Sequence, residues 1–152
     1  MPTGLLLSQC RYMSDILKRA DMVDCKALAT SVFVARAVDE LVEPYADPTH
    51  YRSLVGAMQY LTVTHLNVFY AVNKPCQHMH SPTMAHWMMF KRVLRYIRGT
   101  LHYGLLLHKS SSDVLHAFTD FYWAGSHENR KSTSGYAVFG VESKRLLLFL
   151  GV

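Results

Sequence analysis

The stretch HAFTDFYWAG, His116 to Gly125, sets one carboxylate, Asp120, at the end of a strand-like run and follows it with aromatics. A carboxylate so placed is a candidate ligand for divalent cations that flank a scissile phosphate. Such a site needs several carboxylates, because two ions a few Å apart repel each other unless neutralised. The acidic residues downstream do not supply them in any visible pattern: Glu128 falls in a polar turn and Glu142 after a later strand. By residue type and context alone, Asp120 fits a strand-end or turn aspartate better than a metal ligand.

A second constellation is basic. On a wheel of about 100° per residue, Lys91, Arg95 and Arg98 share one side of a helical segment, with Arg92 at its edge. Cations along one helix face can neutralise successive phosphates of a nucleic acid, and the same pattern also describes a solvated helix face. Trp87 and Tyr96 on that segment fit core or rim positions better than base-stacking platforms. His78 and His80 form an i, i+2 pair with no nearby third ligand, a weak metal signal. No Gly-rich phosphate loop, Cys/His nucleophile arrangement or paired-carboxylate motif is found.

Composition bounds these readings. The 152 residues are 50% hydrophobic, enough to bury a core in one domain, or in one domain and part of another. Sixteen Lys and Arg against eleven Asp and Glu give a net charge of +5, compatible with a polyanionic partner but too mild to require one. Cys10, Cys25 and Cys76 are odd in number, widely spaced and free of CxxC, which points to reduced intracellular thiols and away from a disulfide framework or a zinc site. The start, MPTGLLLSQC, lacks a basic region and a long apolar run, so neither a signal peptide nor a membrane span is expected.

The elements that must position these residues follow from periodicity. Leu5 to Leu7 read as a strand-like stub, and Tyr12, Met13, Ile16, Leu17 and Ala20 recur at helical spacing after a candidate cap, Ser8. Residues 21 to 46 lose that period and read as a long connection. Asp47-Pro48 then predicts a helix start, with Tyr51, Leu54, Val55, Met58 and Leu61 on one face. A helical pattern from about Val68 to Met79 contains Pro75, which removes a backbone donor and costs about 3 kcal/mol or a kink. Ser81-Pro82 predicts the start of a helix ending at Gly99, with Met89, Phe90, Val93, Leu94 and Ile97 on its core face. Beyond Thr100 the runs become β-like: Gly104 to His108, Leu115 to Asp120, Gly135 to Phe139 and Leu146 to Leu150, with a break at 109–113 and a polar turn at 125–132.

In one consistent order, GLLLSQCRYMSDILKRADMVDCKALAT, DPTHYRSLVGAMQYLT, FYAVNKPCQHMHSP, HWMMFKRVLRYIRGTLHYGLLL, HAFTDFYWAG and RKSTSGYAVFG cover nearly the whole chain. Together they resemble the C-terminal part of the reverse transcriptase of copia-type long-terminal-repeat retrotransposons, running into the start of its ribonuclease H domain. The resemblance implies an α+β fold: residues 1–46 as the end of the palm and a linker, 47–103 as a helical thumb and connection that grips the template–primer duplex, and 104–152 as the first strands of an incomplete ribonuclease H-like sheet. Asp120 matches that domain's first metal-binding Asp, and Arg130 to Tyr136 match its turn and second strand.

Departures from the family pattern are equally specific. The family's Ser-Asp-Ala-Asp-Trp is Thr119-Asp120-Phe121-Tyr122-Trp123 here, so its second Asp is Tyr122. Its Arg-Pro-Asp is His65-Leu66-Asn67, a helix-compatible Leu is Pro75, and after Val141 the expected strand gives way to Glu142-Ser143-Lys144-Arg145 and an apolar tail. The paired aspartates of the polymerase and the remaining ribonuclease H carboxylates would fall outside the chain. The expectation is a degenerate fragment without independent catalysis, whose parent used Mg2+ and which holds no cofactor as it stands. Asp120 would bind metal only if the missing ligands were supplied. The alternative is a module that binds RNA–DNA hybrid or duplex nucleic acid through Lys91, Arg92, Arg95 and Arg98, alone or with the rest of a polyprotein.

Overall fold

The computed structural model describes residues 4–31, 43–108, 114–122, 133–140 and 146–151. The polar turn with Glu128 and Arg130 to Ser132, the serine-rich break and the Glu142 to Arg145 segment lie outside these residues. Two compact units form, one from Ser8–Gly104 and one from Met1–Leu7 with Leu105–Val152. Within the first of these, the helix before residue 46 shares a core with those after it.

That first unit is helical. α1 (Cys10–Arg19) buries Met13, Ile16 and Leu17 at helical spacing. Its cap position is Gln9, not Ser8; the Ser8 hydroxyl instead accepts from the Cys10 N–H at 3.4 Å, one step outside. α1 closes with Asp21 at φ 53°, the Met22 N–H on the Leu17 carbonyl at 2.8 Å and the Asp21 N–H on the Lys18 carbonyl at 3.1 Å. This pair of bonds is a Schellman closure, with an aspartate in the left-handed position that glycine usually takes.

α2 (Pro48–Leu61) starts as the sequence predicts: the Asp47 carboxylate accepts from the His50 N–H at 2.8 Å and Pro48 opens the helix. Its predicted face is fully buried, with Tyr51, Leu54, Val55, Met58 and Leu61 all at 0% exposure. A 3₁₀ turn (Leu66–Val68) leads into α3 (Phe69–Gln77), which carries Pro75 inside it and ends two residues later.

α4 (Met84–Gly99) begins two residues after the predicted start. Pro82 does not enter the helix because its carbonyl accepts the Tyr45 N–H at 2.9 Å in a short antiparallel bridge between Pro44 and Thr83. Thr83 is the cap in extended conformation, paired with His86 in a capping box in which imidazole Nδ1 replaces the usual carboxylate as acceptor for the Thr83 N–H at 3.0 Å. The Met84 N–H, another donor that the helix cannot satisfy, reaches the Glu43 carbonyl at 2.8 Å. Trp87, Phe90, Val93, Leu94 and Ile97 are buried, while Met89, expected in the core, is only half-buried. Phe90 meets Tyr51 at 6.1 Å between ring centroids and Trp87 at 5.8 Å, which ties α2 to α4. Each such buried side chain contributes about 1.5–3 kcal/mol of transfer free energy, so this core is what fixes the outer face of α4.

The second unit is β. β1 (Gly4–Leu7) pairs antiparallel with β2 (Leu105–His108), Gly4 opposite His108 and Leu7 opposite Leu105. A Cβ at Gly4 would meet the Leu107 carbonyl oxygen at 2.5 Å, so the close approach requires glycine. β3 (Leu115–Tyr122), β4 (Thr133–Gly140) and β5 (Leu146–Gly151) form an antiparallel sheet in that order. The strand runs expected after Thr100 are all present, with β3 and β4 each extended by at least two residues.

Candidate nucleic-acid interface

Because Phe90, Val93, Leu94 and Ile97 face the core, the helical repeat places Lys91, Arg92, Arg95 and Arg98 on the opposite side of α4. The structure brings all four to one surface, and there the three arginines meet the chain itself. The Arg98 Nε donates to the Val23 carbonyl at 2.7 Å, the Arg95 Nε to the Lys26 carbonyl at 2.8 Å and the Arg92 guanidinium to the Thr30 hydroxyl at 2.8 Å. Residues 23 to 30 therefore run antiparallel along the basic face as a strap. In the middle, the Leu28 N–H donates back to the Arg95 carbonyl at 3.2 Å.

Gly99 makes the approach possible. A Cβ there would lie 3.2 Å from the Ala27 Cβ and 3.6 Å from the Leu28 carbonyl oxygen. Little apolar surface holds the strap otherwise: Met22 and Leu28 are half-buried, whereas Val23, Asp24, Lys26, Ala27, Ala29 and Thr30 are exposed. A segment fixed by surface hydrogen bonds and few buried contacts belongs to the least stable part of a fold.

Lys91 is placed differently from the arginines. Its Nζ sits 5.5 Å from the centroid of the Trp87 ring, within cation–π range. Both residues line a cavity of about 380 Å³ whose other wall is Ala20 to Cys25. Asp21 and Asp24 belong to that wall and bring negative charge to the edge of the basic face. Trp87 is buried at 7% exposure and Tyr96 is half-buried, its hydroxyl accepting from the Asn67 amide, so both are core or rim residues as expected.

Asp120 lies on β3, opposite Gly135 of β4, on the outer strand of the three that the described residues form. Among the described residues no group of three or more His, Cys, Asp or Glu gathers. His78, at the end of α3, is stacked on His86, in the first turn of α4, at 3.7 Å between ring centroids, and His80 is exposed. Among the described residues no helix is long and apolar enough to cross a membrane.

Sequence reasoning found the four cations but missed the strap. Two of the three arginine bonds to it go to backbone carbonyls, which any residue carries, and only Gly99 at the end of the basic helix hinted at a close neighbour.

No protein-family profile matches the chain, and no solved structure matches it. Over 138 residues it is 46% identical to an uncharacterized mitochondrial protein, AtMg00810, of Arabidopsis thaliana, covering 91% of this chain and 58% of that protein. Over 140 residues it is 43% identical to the retrovirus-related Pol polyprotein from transposon RE2 of Arabidopsis thaliana, covering 91% of this chain and 10% of the polyprotein. The corresponding polyprotein from transposon TNT 1-94 of Nicotiana tabacum is 32% identical over 142 residues, again with 10% of its length covered. The chain thus spans little more than half of the first relative and a tenth of the polyproteins.

Proposed function

Since this chain belongs to the copia-type retrotransposon Pol polyproteins, we propose that it is a degenerate piece of one, with no catalysis of its own. The parent activity would be that of an RNA-directed DNA polymerase with ribonuclease H. The observation that carries this reading is similarity along 91% of the chain to a tenth of the polyprotein, and Tyr122 stands where the resembled Ser-Asp-Ala-Asp-Trp motif has its second Asp. Residues 47–103 would correspond to the helical thumb and connection, and residues from 104 onward to the first strands of the ribonuclease H-like sheet. The test is incubation of the purified 152-residue chain with Mg2+ and an RNA–DNA hybrid. No cleavage above background is expected; cleavage that disappears in Asp120→Asn would overturn the reading.

A second reading is favoured by the basic face of α4. Lys91, Arg92, Arg95 and Arg98 present four cations within eight residues on one side of a helix whose other side is fixed by the core, a geometry suited to tracking the phosphates of a duplex or RNA–DNA hybrid. On this reading the helical unit keeps nucleic-acid affinity although catalysis is lost. Binding should fall steeply as salt rises, and fall further when the four residues are changed to Ala. Salt-insensitive binding would argue against a phosphate-tracking face.

A further inference from the structure

We propose that the strap of residues 23 to 30 is an internal competitor for nucleic acid: it occupies the guanidinium groups of Arg92, Arg95 and Arg98, and must peel away from α4 before a phosphate backbone can bind there. The inference rests on the nucleic-acid-binding reading of this face and adds its regulation.

Three observations carry it. Arginines on successive turns spend donors on strap oxygens at 2.7–2.8 Å, so the groups that would grip phosphates are already engaged. Those oxygens are neutral carbonyls and a hydroxyl, whereas a phosphate oxygen carries charge, and hydrogen bonds between two charged partners are the stronger kind. The exchange of strap for phosphate is therefore favourable at each arginine. Finally, Asp24 of the strap lines the same cavity as Lys91, so withdrawal of the strap takes a carboxylate from the edge of that face.

The groups that hold the strap also show how it leaves. Apart from the arginines, its central tie is the single bond from the Leu28 N–H to the Arg95 carbonyl, with Ala27 seated over Gly99. Few of its side chains are buried, so release exposes little apolar surface. The helix beneath is anchored independently by its core face and stays folded when the strap lifts.

The short approach between Ala27 and Gly99 supplies the test. A Cβ built at Gly99 lies 3.2 Å from the Ala27 Cβ, close to the separation that a disulfide spans, so Ala27→Cys with Gly99→Cys, in a Cys25→Ser background, can lock the strap by oxidation. Binding of a fluorescently labelled RNA–DNA hybrid to the full chain is then compared in oxidised and reduced forms at low salt. The oxidised form should bind at least tenfold more weakly, and reduction should restore the affinity. In the wild-type chain, the Leu28 amide should exchange with solvent faster when hybrid is bound.

Equal binding by locked and reduced forms, with weaker binding after Arg→Ala changes, would overturn the strap inference while leaving the basic face as a binding surface. Tighter binding by the locked form would also overturn it, since the strap would then be orienting the arginines. Undetectable binding by wild-type, reduced and locked chains alike would overturn both this inference and the reading beneath it. If the paired cysteines fail to cross-link, Gly99→Leu displaces the strap by bulk with every arginine kept. It should bind hybrid more tightly than wild type, and unchanged or weaker binding would reject the competition.

Discussion

The Tyr51 hydroxyl donates to the Pro75 carbonyl at 3.0 Å, so the fully buried face of α2 holds α3 at the residue least suited to a helix. Pro75 has no N–H to give, and its carbonyl also accepts the His78 N–H at 3.2 Å as α3 ends. Tyr51→Phe should cost about 1 kcal/mol, the ordinary net worth of one hydrogen bond, because the Pro75 carbonyl keeps its second partner. Denaturant unfolding followed by Trp87 fluorescence, in a Trp123→Phe background, checks this. A loss near zero would mean that the phenol contributes only its ring.

Alkaline stability should depend on a neighbour of that bond. Burial pushes the Cys76 thiol up from the ordinary 9.0 to about 11, and burial also raises Tyr51, with the Cys76 charge adding to the effect. Both groups are favoured in the protonated form by the fold. Their contribution is therefore complete below pH 9.0 and is lost as pH climbs toward 11, first through Cys76 and, above pH 10.0, also through Tyr51. The Cys76 part amounts to at most about 2–3 kcal/mol. Cys76→Ala should flatten the decline between pH 9 and 11 in the same unfolding measurement, whereas Tyr51→Phe should change it only above pH 10.

Asp21 closes α1 in the left-handed region at φ 53°, where any side chain is strained and aspartate is among the better tolerated. Asp21→Gly should stabilise the chain by about 0.5–1 kcal/mol, and Asp21→Val should destabilise it by at least as much. Opposite shifts in the denaturation midpoint would support this account of the turn. A loss in both variants would instead place the weight on the carboxylate.

Much of this arrangement is legible in the order of residues alone, and the limits are physical. Asp47-Pro48 and the five core residues of α2 are local signals, and local signals sufficed for that helix. At Ser81-Pro82 an equally good local signal misled, because the Tyr45 N–H claims the Pro82 carbonyl from a distant part of the chain and Thr83 becomes the cap. The pairing of Gly4–Leu7 with Leu105–His108 has no local signature, since neither strand records its partner or register. Among the candidate site residues, the basic stripe was readable from helical spacing. The strap across it was not, because Arg95 and Arg98 bind carbonyls, which every residue displays.

Acid stability should report on His65. It is buried at 3% exposure, with Nδ1 3.0 Å from the Thr64 hydroxyl, and burial lowers its pKa below 6.5, an effect partly offset by the Tyr103 backbone. The fold thus favours the neutral ring. Its contribution is present above pH 6.5 and is lost as pH falls through the lowered value, because the unfolded chain takes up the proton first. The denaturation midpoint should therefore fall as the pH drops below 6.5, and His65→Gln, which cannot take up a proton there, should remove that part of the slope. The variant is expected to be less stable at pH 7, since a buried polar group has been replaced by one of different shape, so the slope is the reading that matters. An unchanged slope in His65→Gln would assign the acid sensitivity to another group.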